Sequence, residues 1–272
     1  MAKFRVLITV TTYPLPSRSY DELVCTAGVL EDGSLIRIYP VPFHFLEYHK
    51  WEWVELELIK HKHTHDFRPE SYRPKRHDLS DLVVVQKIGT EQAWYVRKQA
   101  CLKNVYTNLT TLIHDSKDPK NVSLATFKPK RLIKFIVEDD EREWKEQWLE
   151  QLKQVNLFTG GANATEGPRV PVDKIPYKFK YQFEDEAGKV STMAIEDWEI
   201  GALFRNCLAA AEGDEVIAVE KVREKYEKDF MQNKDIALFL GTTLKHHRAR
   251  HTNPFTIVGV FYPPRQPQQQ LL

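Results

Sequence analysis

Apolar runs of strand length recur along the first half of the chain. Residues 4–12, 24–30, 35–40, 51–60, 82–88 and 132–138 are rich in β-branched and aromatic residues and are set apart by Pro, Gly, Asp and Ser, so each predicts a strand. Over 51–60 the alternation has a period of two. Val54, Leu56 and Leu58 fall on one face and Trp53, Glu55 and Glu57 on the other, the pattern of a half-buried strand. Glu31-Asp32-Gly33-Ser34 is a hairpin signal, because Asp-Gly accepts the positive φ that a tight turn needs. On the returning strand Leu35, Arg37 and Tyr39 share a face opposite Ile36 and Ile38. Residues 89–104 and 105–116 predict short helices.

The period then changes. Over 141–155, Trp144, Trp148, Leu149, Leu152 and Val155 form one stripe, which predicts an amphipathic helix. Residues 159–176 are dominated by Gly, Pro and small polar residues and predict a linker or long surface loop. A hairpin at 177–183 and 189–194 follows, then helices over 197–211 and 215–231, then strands at 236–242 and 255–262. The tail, 265–272, is low in complexity. The expected class is α+β. A strand-rich, β-barrel-like N-terminal domain (1–158, ending in the amphipathic helix) precedes the linker (159–176), and a smaller α+β domain (177–264) follows it.

Composition narrows the function classes. The 272 residues hold 39 Lys+Arg and 38 Asp+Glu, a net charge of +1, so no global charge draws the protein to nucleic acid. The charges are segregated, however. Residues 60–76 and 97–134 are basic, and 138–150 are acidic. No apolar run reaches the roughly 20 residues that cross a bilayer. The N-terminus lacks a signal-peptide h-region with a small-residue cleavage site. Cytoplasm is therefore the expected location, with no membrane partner. Cys25, Cys101 and Cys207 are far apart and odd in number, which argues against a disulfide scaffold. Neither GxxxxGK[ST] nor GxGxxG occurs, and no cofactor is expected.

Two basic stretches carry the candidate chemistry. In HKHTHDFRPESYRPKRHD (61–78), His61, His63 and His65 would share a face on a strand, but their neighbours are positively charged, which disfavours a dication, and no metal is assigned. Arg68, Arg73, Lys75 and Arg76 suit a phosphate backbone, and Tyr72 could stack on a base. Asp66 and Glu70 either pair with these arginines or serve a reaction. In LKHHRARHTNP (244–254), read as a hairpin loop, Lys245, His247, Arg248 and Arg250 suit phosphate contact, and His246 and His251 are general acid/base candidates.

Four segments, TYPLPSRSYDELVCTAGVLEDGSLIRIYPVPF (12–43), DFRPESYRP (66–74), IEDWEIGALFRNC (195–207) and LGTT…NPFTIVGVFYPP (240–264), together resemble an uncharacterised family of prokaryotic proteins. The resemblance implies a prokaryotic or phage origin and no particular activity. The N-terminal half is also similar in style to PUA-like and ASCH-like β-barrels, which bind RNA or modified bases in a cleft, some ASCH-like members cleaving RNA. That likeness implies a cleft near Arg37, Tyr39, Asp66, Arg68 and Tyr72. The leading expectation is a protein that binds RNA or DNA through basic patches of both domains. The alternatives are a nuclease or other hydrolase acting on nucleic acid or nucleotides, and a non-catalytic component of a larger assembly that binds a protein partner.

Overall fold

The computed structural model describes residues 3–16, 22–146 and 172–265. Most of the expected amphipathic helix, most of the linker and nearly all of the tail lie outside these residues.

The N-terminal half is built from β1 (Lys3–Thr11), β2 (Leu15–Pro16), β3 (Glu22–Leu30), β4 (Leu35–Pro42), β5 (Glu52–Lys60), β6 (Ser71–Pro74) and β7 (Val83–Lys87). The order β1-β3-β4-β6-β5, with β5 returning to β1, closes a five-stranded barrel, and β7 extends it from β5. All the barrel pairings are antiparallel except β4 with β6. Gly33 takes φ 89° in the turn between β3 and β4. Gly28 is needed where β3 crosses β1, because a Cβ there would sit 2.4 Å from the Leu7 carbonyl oxygen.

Helix α1 (Glu91–Cys101) follows. Then come β8 (Val105–Tyr106), α2 (Leu109–Asp115), β9 (Leu124–Phe127) and β10 (Arg131–Asp139). After residue 172 the chain forms β11 (Tyr177–Glu184), β12 (Val190–Ala194), α3 (Trp198–Ala210) and α4 (Glu215–Arg223, continued by a π-helical stretch to Phe230). It ends with β13 (Ala237–Thr242), α5 (Leu244–Arg248) and β14 (Phe255–Phe261). Asp197 and Asp214 cap α3 and α4, accepting from the backbone N–H of Glu199 and Ile217.

The sheets divide the chain earlier than the composition does. β10 pairs with β11 in a three-stranded sheet, and β9 and β8 join β13 and β14 in a four-stranded one. Residues 105–139, expected to belong with the barrel, thus build the C-terminal half. The runs at 124–127 and 132–138 each pair with a strand beyond residue 176, which local composition does not reveal.

Strand β1 explains how the halves join. Its run Val6–Val10 is buried throughout. Val6 and Ile8 face the barrel core with Val24, Ile36, Ile38, Val54 and Leu56. Leu7 and Val10 pack outward with Leu124, Phe239, Val258 and Phe261 of the C-terminal half. Each such side chain removed from water contributes about 1.5–3 kcal/mol. A strand that is apolar on both faces is therefore the wall between two cores.

Candidate nucleic-acid interface

The segment 61–70 between β5 and β6 is a turn-rich connection, and it meets the end of β13 and helix α5. Thr243 starts α5 by accepting from the His246 N–H (3.2 Å), so residues expected as an open loop form a short capped helix. Capping and the basic side chains of the last turn both favour that helix.

Beneath this meeting point lies a buried polar network. Arg68, 4% exposed, forks onto Asp66 through Nε (2.8 Å) and Nη2 (2.7 Å) and donates from Nη1 to the Thr242 carbonyl (2.8 Å). Arg37, 2% exposed, donates to Ser123 Oγ (2.6 Å), to the Ser123 carbonyl (2.9 Å) and to the same Thr242 carbonyl (3.4 Å). Ser123 in turn donates from Oγ (2.7 Å) and N (3.0 Å) to Glu70, and Ser71 donates to Asp66 (2.6 Å). Two guanidinium groups face two carboxylates, so the network adds no net charge to the surface above. Burial works against ionisation of Asp66, yet the hydrogen bonds from Arg68 and Ser71 and the guanidinium charge outweigh it and hold the carboxyl well below the usual range.

His247 is buried beside this network. Its Nε2 lies 2.5 Å from the Ser116 carbonyl, which can only accept, so that nitrogen carries the proton; Nδ1 then accepts from the Thr242 hydroxyl (3.1 Å). Burial lowers its pKa, the bond to Ser116 opposes that, and the charges of Arg68 and Arg37 lower it further. The ring stacks edge-on against Phe67, with centroids 4.9 Å apart.

The structure sorts the sequence candidates into three groups. Arg37, Asp66, Arg68, Glu70 and His247 come together, but as an internal scaffold. Arg37, Arg68 and His247 expected against phosphate are buried, with their donors turned to protein carbonyls, hydroxyls and a carboxylate. Tyr72 is half-buried, packed on Phe4 with Lys60 over its ring (4.4 Å), and Tyr39 at 39% exposure lends its carbonyl to His61. Arg73, Lys75 and Arg76 form a second group, carried away from the network along the barrel wall. Lys75 pairs with Glu57, and Arg76 donates to Ser80 (3.2 Å).

The third group is exposed and lies on one surface. Arg248 donates from Nη2 to the carbonyls of His65 (2.6 Å) and Thr64 (3.3 Å), clamping α5 onto the turn 61–67. Lys62, His63, His65, Lys245, His246, Arg248, Arg250 and His251 are all exposed there. Neither 60–65 nor 244–252 contains a carboxylate. Lys62, Lys245, Arg248 and Arg250 have no ion pair among the described residues. The rings of His246 and His251 lie 4.6 Å apart. His61, His63 and His65 sit in a turn rather than on a strand. Among the described residues no group of three or more His, Cys, Asp or Glu is arranged to hold a metal. The sequence reading missed Ser116, Ser123 and Thr242, whose role depends on acceptors meeting donors from far along the chain. The expected contact residues also leave out Lys62, His63 and His65, although the basic character of 60–76 is plain in the sequence.

Fold and surface define an α+β protein, a closed barrel joined to a helix-and-sheet unit with one basic face shared by both. Residues 105–272 match the family model described as Domain of unknown function (DUF8757), and the chain belongs to that family. Residues 2–103 match a second, Domain of unknown function (DUF8758). The two models meet where the sheets divide the chain. No curated protein matches it. Among the described residues no helix is long and apolar enough to cross a membrane.

Proposed function

We propose that the protein binds nucleic acid through the surface formed by residues 61–65 and 244–251. One observation carries this reading. The Arg248 guanidinium joins two carboxylate-free basic segments, more than 180 residues apart, into one exposed surface. The acids that follow 61–65, Asp66 and Glu70, are engaged by Arg68 and Ser123, and Glu57 before it pairs with Lys75, so they leave that charge uncompensated. Such a surface binds phosphates by releasing counterions, so affinity falls steeply with salt.

The test is fluorescence anisotropy of labelled single- and double-stranded RNA and DNA over a salt series. Lys62→Ala and Lys245→Ala should each weaken binding across sequences and reduce the slope of log K against log salt by about 1. Arg76→Ala, on the barrel wall, should change little. No binding to any of the four probes, or binding indifferent to salt, overturns the reading.

A hydrolytic version has its own support in the adjacent, exposed rings of His246 and His251, which could divide proton donation and acceptance during phosphodiester cleavage. Cleavage of the bound probe that His251→Ala abolishes, with binding retained, would favour it.

A further inference from the structure

A cavity of about 360 Å³ opens where the connection between β1 and β2 meets β11, the start of α3 and the residues just past β10. Small-molecule sites span about 300–1,000 Å³. The lining is largely apolar and aromatic, with Tyr13, Trp144, Tyr177, Phe179 and Ile200. The polar atoms of three of these rings are engaged by protein. The Tyr13 hydroxyl donates to the Asp173 carbonyl (2.7 Å), Trp144 Nε1 to the Val172 carbonyl (2.9 Å) and the Tyr177 hydroxyl to Glu215 (2.7 Å). Lys174 (2.8 Å) and Lys178 (2.7 Å) take the two oxygens of Asp140. Asp197 caps α3 and faces Lys50 (3.8 Å). Glu141 and Lys145 are exposed and opposite in charge.

Glu196 is left over. It lines the cavity and stays open to solvent there, and its carboxylate makes no hydrogen bond or ion pair among the described residues. Its backbone is held on both sides, the N–H donating to the Ile257 carbonyl (2.7 Å) and the carbonyl accepting from the Tyr13 N–H (3.0 Å). Crowding by the surrounding protein raises its carboxyl pKa; the Lys178 charge opposes this through space and the Asp140 charge adds to it. A fixed acceptor with no protein donor suits a donor from outside.

We infer that the cavity binds a small planar organic cation, an amidinium or guanidinium compound, whose N–H fork meets the Glu196 carboxylate while its body lies among the aromatic rings. A planar fork matches a carboxylate bidentately, and such a cation is also attracted to the faces of Tyr and Trp. An anion would have to draw Lys174 and Lys178 away from Asp140. The cavity shares no residue with the basic surface, so the inference does not rest on nucleic-acid binding.

Isothermal titration calorimetry of the full chain with benzamidine tests this, beside benzamide and benzoate, which have a similar shape but are neutral and negative. Benzamidine should bind, and the other two should bind about tenfold more weakly or worse, since each lacks the charged donor pair. Glu196→Gln should weaken benzamidine binding by about tenfold or more. Its melting temperature without ligand should stay the same or rise, because no protein contact is removed. A capped arginine, Nα-acetyl-arginine methylamide, separates the two sources of such a cation. Binding as tight as that of benzamidine assigns the cavity to an arginine side chain of a peptide, and weaker binding assigns it to a free compound. No binding of benzamidine, equal binding of benzamide, undiminished binding to Glu196→Gln, or a lower melting temperature in that variant each overturn the inference.

Discussion

At the scale of single residues, the site is decided by burial that no local pattern announces. Arg37 is legible as a residue on a strand face and Arg68 as a cation suited to phosphate, but nothing local announces that both are buried. Their acceptors, Ser123 and Thr242, lie 86 to 205 residues away, and only the folded chain brings these groups together. The ion pair in the interior makes a strong prediction. Arg68→Ala leaves Asp66 charged, buried and unpaired, which costs about 3–5 kcal/mol. Urea denaturation should show the midpoint falling, with no change in the slope of nucleic-acid binding against salt in the variant that remains folded. Asp66 also sets an acid limit. Its folded pKa lies below its unfolded one, so its contribution is full above the ordinary carboxylate value of about 4 and is lost progressively as pH falls from there toward the lower folded value. Asp140 has the same sign: burial opposes its ionisation, but hydrogen bonds from Lys174 and Lys178 bring the pKa down to about 2. Melting temperature should therefore drop between pH 4 and pH 2. Asp66→Asn should flatten part of that fall; a wild-type profile flat across the window would contradict the ion-pair argument.

At the scale of elements, strength of local signal separates what could be read from what could not. The hairpin at Gly33, the capped helices at Asp197 and Asp214, and the alternating strand at 52–60 follow from turn chemistry, capping and period two, and all are present. No strand is predicted at β6, because four residues ending in proline show no period, yet it closes the barrel by lying between β4 and β5. Helix α5 was hidden by its charges, which resemble those of a loop. Close packing between β1 and β3 yields a prediction at this scale. In Gly28→Ala the new methyl would meet the Leu7 carbonyl and the Val6 side chain at 2.4 Å, so β1 must shift. Overpacking of this kind costs about 1–3 kcal/mol. Because β1 also lines the second core, the loss should appear in amide exchange of β14 as well as of the barrel.

At the scale of the whole molecule, two family models cover one chain, and the question is whether they mark two stable bodies. Several features make them interdependent. Leu7, Val10, Val29 and Trp51 on one side and Phe239, Val258 and Phe261 on the other form one cluster, so separating the halves would expose apolar side chains on both. Arg37 and Arg68 of the barrel half donate to carbonyls of the C-terminal half. Lys50 pairs across the same boundary with Glu199 (2.7 Å) and Asp197 (3.8 Å) at the start of α3. A fragment of residues 1–103 would strip Arg37 of its acceptors on Ser123 and Thr242 and Arg68 of the Thr242 carbonyl, each group left unsatisfied costing about 1–3 kcal/mol or more. The intact chain should accordingly unfold in one transition, with tryptophan fluorescence, to which Trp51 at the boundary contributes with five other tryptophans, coinciding with far-ultraviolet circular dichroism in denaturant. The isolated 1–103 fragment should be aggregated or unfolded. Two resolved transitions, or a soluble and cooperatively folded fragment, would mean that the boundary is a contact between independent domains. The basic surface would then depend on how those domains dock, since α5 and the turn 61–67 come from opposite sides of that boundary and are held together by Arg248 and by the Phe67–His247 ring contact.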